Sequence, residues 1–409
     1  MSKQIIIIGS GFAGLYSALG AKRLINQTNP SNPPQVTVIS PAPTLDIRPR
    51  LYEANAASLT APLGKLFKEA GIAHVAGLVT SIDHAGQSVT IENAGVVSTM
   101  TYDRLVLAMG SQLIRPTIPG LGAFAFDIDQ VSTAAKLEAH LESLPSQPPS
   151  DARNTIVVAG AGFTGLEIAT ELPSRLRSIF TDGSKSRIIL IDRNAELGHQ
   201  IGSNPLPEIK KVLDDLAIEV LLSTTIDSVS ATGLELSDGR TIPASTVIWT
   251  AGMVANSLTA QVPGDKDAMG RLIVGTDLRA PSSPNVFATG DTAHVLTDDE
   301  GHVALMSCQH ALMLGRASGH NAAAGLLGLP LYSYSQPSYG TCLSLGEGRA
   351  VVTGGWDRQV IFTGAQAKAV KEFINTKLIY PPTNSEEAFV VADPAYQIPP
   401  LQPPQPAAV

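Results

Sequence analysis

The chain has 409 residues, 44% apolar and 16% charged, with 36 acidic against 28 basic side chains and a formal net charge of −8. That length sets an expectation of about two to three domains with large buried cores, and the acidic balance argues against nucleic acid as a partner. No apolar run reaches the roughly 18 uninterrupted residues that would span a membrane, and two cysteines, Cys308 and Cys342, are too few for a disulfide scaffold.

Gln4 to Ile8 carries four consecutive isoleucines and runs into Gly9-Ser10-Gly11-Phe12-Ala13-Gly14. β-Branched side chains suit a strand covered on both faces, and the glycines predict a tight turn opening a helix from Phe12 to about Leu24. Gly9 permits the bend, Gly11 lets phosphates approach the backbone, and Gly14 lets helix and strand pack closely. The first-turn N–H groups of Phe12 and Ala13 then face an anion. A glycine loop stands where a signal peptide would have its cleavage site, so the segment reads as a strand and the protein as cytoplasmic.

Val36 to Ile39 is the second strand. The acid that usually follows such a strand and binds ribose is replaced by Ser40, which hydrogen-bonds without charge assistance. In Asp46 to Glu53, Arg48 and Arg50 flank Pro49. They read either as bidentate pyrophosphate ligands or as a solvated loop, and the expectation is at least one arginine on the cofactor. Pro62 to Ala70 is a short helix, Ile72 to Thr101 an inserted β-meander, and Asp103 to Gly110 a buried strand ending on glycine.

After a linker at Pro116 to Gly122 and a helix at Ser132 to Leu144, the first unit recurs. Thr155 to Ala159 leads into Gly160-Ala161-Gly162-Phe163-Thr164-Gly165, and Ile188 to Ile191 is followed by the expected acid, Asp192. Another meander covers Ile218 to Ile242, and Val247 to Gly252 closes the unit. The spacing from Gly14 to Gly110 nearly matches that from Gly165 to Gly252, which argues for a duplicated dinucleotide-binding domain. Asn285 to Asp291 is a short strand ending in Gly290-Asp291. A long helix from His302 to Leu327, with Gly315 and Gly319 marking close packing or a kink, comes next. A small sheet and helix follow, and a proline-rich extended tail runs from Pro381 to Val409.

With these parts in order the chain resembles the pyridine nucleotide-disulfide reductase-like flavoproteins, and within them the type II NADH dehydrogenases, over about residues 3 to 380. The resemblance is carried by Gly9-x-Gly11-x-x-Gly14, Leu105 to Ser111, Gly160-x-Gly162-x-x-Gly165 running into Leu166 to Leu172, Trp249 to Gly252, and Ala288 to Asp291. It implies an α/β fold of two Rossmann-like dinucleotide-binding domains, each with an inserted β-meander, plus a small C-terminal α+β region. The implied division is an FAD-binding domain from 1–115 and 266–328, an NAD(P)H-binding domain over 116–265, a C-terminal region over 329–380 and a tail over 381–409.

The resemblance further implies FAD on the first glycine turn, with contacts from Gly110, Gly290 and Asp291, and NADH or NADPH on the second, near Gly252. Asp291 is expected at the ribityl chain, since a carboxylate repels phosphate; its bland alternative is a helix N-cap. Asp192 favours NADH because a 2′-phosphate would meet a like charge, with Arg193 as a possible offset. Glu167 reads either as a group near nicotinamide and flavin or as a surface glutamate on the helix dipole. The quinone-bordering Ala-Gln-x-Ala-x-Gln stretch of type II dehydrogenases corresponds here to Cys308 to Met313, where Gln309 matches and Met313 departs.

No Cys-x-x-Cys occurs in the first domain, so a redox-active disulfide is not expected. Cys308 reads either as a thiol with a lowered pKa at a helix start or as a small buried hydrophobe. Lys368, Lys371 and Lys377 offer either a weak membrane-surface contact or a solvated helix face. The histidines are not spaced as a metal site. The expected activity is an FAD-dependent NADH oxidoreductase passing electrons to quinone or a similar small acceptor, compatible with a homodimer. The alternatives are a ferredoxin-type reductase, a biosynthetic tailoring flavoenzyme, and a redox-responsive binding protein resembling apoptosis-inducing factor.

Overall fold

A computed structural model describes residues 2–198 and 200–398. The isoleucine run Gln4–Ile8 forms the middle of a six-stranded sheet, pairing in parallel with Gln35–Ser40 on one side and Arg104–Leu107 on the other. Ser283–Ala288 extends the sheet beyond Arg104–Leu107. Ile5, Ile6 and Ile7 have no solvent exposure, as expected of a strand covered on both faces. A second sheet of five strands repeats the plan: Thr155–Ala159 lies between Arg187–Ile191 and Thr246–Trp249, all parallel.

Each meander is one strand shorter than its sequence suggests. Ala73–Ala76 pairs in parallel with Gln35–Ser40, and Glu219–Leu221 does the same with Arg187–Ile191, so both are edge strands of the main sheets. Alternation marks a strand but not the sheet it joins. The remaining strands, Leu78–Asp83, Ser88–Asn93 and Val96–Thr101 in one domain and Ile226–Ser230, Gly233–Leu236 and Thr241–Pro243 in the other, form antiparallel triplets. The chain crosses between domains through Ser111–Leu113 and returns through Met253–Ala255, and these two segments pair as an antiparallel ribbon.

The helix Phe12–Thr28 packs along the long helix Cys308–Leu327. A Cβ on Gly319 would stand 1.9 Å from the Ser17 carbonyl oxygen, and one on Gly315 2.6 Å from that of Ala13, so these glycines serve close packing. The long helix starts at Cys308, later than its sequence suggests. Ser307 caps it by accepting the His310 N–H at 3.3 Å, while His302 is held back by Thr297, whose N–H donates to the His302 carbonyl at 2.8 Å.

The C-terminal region is an antiparallel sheet, Gly340–Ser344, Ala350–Gly354 and Gln359–Thr363, followed by the helix Gly364–Phe373. The tail is not extended throughout. Ser385–Val391 is a helix capped by Asn384, whose side chain accepts the Glu387 N–H, and it lies against Phe12–Thr28. The part of the expected tail beyond residue 398 lies outside the described residues.

Candidate functional site: two glycine turns and a buried ion pair

At the first turn Gly14 seats the helix on the strand: a Cβ there would meet the Gly9 carbonyl oxygen at 2.0 Å. A Cβ on Gly11 would meet nothing within 4 Å. The turn therefore encloses an open cradle in front of the helix N-terminus, which suits a pyrophosphate. The second turn repeats this. Gly165 abuts the Gly160 carbonyl, while Gly162 faces open space bounded by the Gln200 side chain at 4.0 Å. Thr250 braces it, donating to the carbonyls of Ala159 and Gly160 at 3.0 and 3.1 Å.

Gly290 nests between the two packed helices, its Cβ position 2.8 Å from Ala13 Cβ and 3.5 Å from Ala311 Cβ. Asp291 thus lies between the first glycine turn and the start of the long helix. Its Oδ2 accepts from Ser111 Oγ at 2.6 Å, and Gly110, immediately before Ser111, has its Cβ direction open. The turn Gly290–Thr292 is a single 3-10 turn with Asp291 inside it, not capping the long helix. Gly252 faces Ile114 across the interdomain ribbon, its Cβ position 3.0 Å from Ile114 Cδ1.

Other expected ligands have protein partners. Ser40 Oγ bonds the Ala42 carbonyl at 2.6 Å and His74 Nε2 at 3.0 Å. Arg50 forms a fork with Glu53, at 2.6 to 3.1 Å, and donates to Tyr380 Oη at 2.9 Å. Asp192 accepts the Ala161 N–H at 2.6 Å and both the N–H and the side-chain amide of Asn194 at 2.8 Å. It therefore braces the second glycine turn from beside the cradle. Gln309 is half-buried in the first turn of the long helix.

Glu167 is 7% exposed, in the first turns of the helix Phe163–Ile179, so it is not a surface glutamate. Its Oε1 accepts from Lys371 Nζ at 2.7 Å and from the Ser344 N–H at 3.1 Å. Lys371, also 7% exposed, donates to the Cys342 carbonyl at 3.1 Å and stands 5.7 Å from the Tyr52 ring centroid. Three parts of the chain meet here: Tyr52 from the first domain, Glu167 from the second, and Lys371 with Ser344 from the C-terminal region. Burial raises the Glu167 pKa, against the opposing pull of Lys371 and the Ser344 N–H. Burial also works against the Lys371 ammonium, but Glu167, Tyr52 and Cys342 together outweigh it and the lysine pKa is raised.

Sequence reading places Lys371 on a solvated or membrane-facing surface. It is buried because it follows Ala367 by one helical turn and adjoins Val370, both core residues; that register was the available signal. Lys368 is tied down too, donating to Ser344 Oγ at 3.0 Å and to the Gly346 carbonyl at 2.9 Å. Both cysteines are free. Burial raises the Cys308 thiol pKa and pushes Cys342 up to about 12, so neither has thiolate character. Of the two expectations for Cys308, the lowered pKa fails, and the side chain is half-buried against the core beneath the first sheet.

Two largely parallel sheets, each opening on a glycine turn that frames a cradle and joined by a two-stranded ribbon, define a protein with two dinucleotide-binding domains. The chain belongs to the pyridine nucleotide-disulphide oxidoreductase family, whose sequence profile matches residues 3–315. An NADH dehydrogenase-like protein of Mycobacterium tuberculosis is 43% identical over 400 residues, covering 97% of this chain and 99% of its own. Demethylphylloquinone reductase of Synechocystis is 28% identical over 360 residues, 86% of each chain. NDH2 from Plasmodium falciparum in complex with NADH shares the fold, with a TM-score of 0.75 at 15% identity over 96% of this chain and 97% of that one.

Proposed function

We propose that this protein is an FAD-dependent NADH oxidoreductase that passes electrons to a quinone or a similar small acceptor without a redox-active disulfide. The observation that carries this reading is the convergence of both glycine-turn domains on one buried acid–base pair, Glu167 and Lys371. The names of the relatives support it: one is NADH dehydrogenase-like, another reduces a quinone. Held at the first glycine turn, FAD would supply a two-electron relay between a nicotinamide at the second turn and the acceptor.

The protein's own residues do the rest. The amides at Gly11 to Ala13 bind one pyrophosphate and those at Gly162 to Thr164 the other. Asp291, held by Ser111, offers its free oxygen to sugar hydroxyls, and Asp192 keeps a carboxylate beside the second turn, disfavouring a 2′-phosphate. Reducing a quinone consumes two protons, and the Glu167–Lys371 pair can supply one and be recharged. Outward from the pair, Ser344 and Lys368 lead to an open groove of about 650 Å³ lined by Glu171, Arg175, Lys368 and Glu372, a route to bulk water.

Two raised thiol pKa values argue against sulfur chemistry, because the thiolate is the nucleophile. Free cysteines fit a cytoplasmic, reducing location. The test is purified holoprotein mixed anaerobically with NADH and then with soluble quinones, ferredoxin or oxygen. Bleaching by NADH with fastest recovery on a quinone supports the proposal; recovery on ferredoxin alone refutes its acceptor half.

A further inference from the structure

Arg48 touches both halves of the molecule. It lies in the turn Arg48–Arg50 of the first domain, and its Nε donates to the backbone carbonyl of Asp129 at 3.0 Å. A terminal nitrogen of the same guanidinium forms an ion pair with the Asp129 carboxylate. The other terminal nitrogen donates to Ser111 Oγ at 3.1 Å and stands 3.7 Å from Asp291 Oδ2. Asp129 lies at the root of the second domain, just before the helix Val131–Ser143. Its carboxylate also accepts the Leu113 N–H at 3.3 Å, and Met253 Sδ lies 3.9 Å from Arg48. Ser111–Leu113 and Met253–Ala255 are the two strands of the interdomain ribbon.

The guanidinium is therefore engaged along both edges, by one domain on one side and the other domain on the other. Only a planar fork can do this; an ammonium satisfies one edge. A phosphate brought to the same place would meet the carboxylates of Asp129 and Asp291, a poor setting for a second anion. Both acids are largely shielded, with side-chain exposures of 12% and 16%, so the contacts are screened less than those of a surface pair.

We propose that Arg48 is an interdomain positioning residue. By tying Asp129 to the Ser111–Asp291 pair it fixes the angle between the two domains, and with it the separation of nicotinamide and flavin. This rests on the two-cofactor reading above, but its consequence for the ribbon does not.

The test is a mutant cycle of Arg48→Met, Asp129→Asn and the double variant, with Arg48→Lys as the conservative exchange. Two quantities are read: amide hydrogen exchange across Ser111–Leu113 and Met253–Ala255, which needs no nucleotide, and the rate at which NADH bleaches bound flavin. Each single variant should speed exchange in both strands and slow bleaching by about 10- to 100-fold, the scale of a misplacement near 1 Å. NADH affinity and flavin content should stay at wild-type levels, the double variant should be no worse than Arg48→Met, and Arg48→Lys should recover part of the rate. Release of flavin by Arg48→Met, with Asp129→Asn silent in both readouts, would make Arg48 an anion ligand and overturn the proposal. Fully additive effects, or unchanged exchange, would overturn it as well. If wild-type flavin does not respond to NADH, the proposed function fails while the exchange cycle still decides the role of Arg48.

Discussion

Glu167 and Lys371 stand 2.7 Å apart with almost no solvent at either side chain, and they come from the second domain and the C-terminal region. Buried charges persist only when paired and hydrogen-bonded, and the Ser344 N–H and Cys342 carbonyl complete this pair. Glu167→Gln keeps the shape and removes the carboxylate that pairs with the Lys371 ammonium. Its acceptor-dependent turnover should fall by roughly 10²- to 10⁴-fold, while NADH still bleaches the flavin. Rapid mixing of the two half-reactions separates the effects, and an unchanged acceptor step would remove Glu167 from proton exchange.

The two glycines of the first turn should fail in different ways. Gly11→Val places a side chain in open space, so the protein should fold with its normal circular dichroism yet be purified without yellow colour. Gly14→Val drives a side chain into the Gly9 carbonyl and should give little soluble protein. A yellow Gly11→Val protein would mean the cradle does not hold the flavin phosphates.

His310 should make the protein acid-sensitive. Burial, with Arg358 and Arg271 nearby, pulls its pKa down to about 3, and its ring stacks on Tyr339 at 4.5 Å. A depressed folded pKa contributes stability above the unfolded value, near 6.5, and that stability is lost as pH falls toward 3. Thermal midpoints measured across this window should drop more steeply for the wild type than for His310→Phe. Parallel curves would show that His310 stays charged or exposed.

The C-terminal segment should clamp the first domain. Arg316, 2% exposed, lies between the rings of Tyr16 and Tyr396 at 5.1 Å from each centroid, and Arg23 pairs with Asp393. Cation–π contacts that are desolvated contribute about 2 kcal/mol. Tyr396→Ala should therefore lower unfolding free energy by about 1–2 kcal/mol in urea without altering NADH affinity. A neutral result would leave the segment without a stabilising role.

Much of this architecture can be read from the chain because the informative patterns are local. A β-branched run ending in Gly-x-Gly-x-x-Gly needs a buried strand and a close helix, and both copies fold that way. Ala73–Ala76 and Glu219–Leu221 were harder, since alternation does not reveal which sheet an edge strand joins. The helix at Ser385–Val391 was hidden by proline-rich surroundings, although Asn384 followed by Glu386 and Glu387 is a start signal. The site was less legible for a different reason. The partners of Glu167 and Arg48 lie far away in sequence, and lysines or arginines read alone default to the surface.

Asp192 lies beside the second turn rather than free in solvent, so its removal should have two effects. Asp192→Ala leaves the Ala161 N–H without its acceptor and removes the charge that disfavours a 2′-phosphate. NADH should weaken more than NADPH in direct titrations. Equal losses would mean that Asp192 only braces the turn.

The central claim is tested most directly by anaerobic rapid mixing of the yellow holoprotein with NADH, followed by a soluble quinone. The account predicts loss of flavin absorbance on the first mixing and its return on the second, with both thiols still titrating as free. A chain purified without flavin and unable to take it up, or a flavin whose colour NADH does not change, would contradict it.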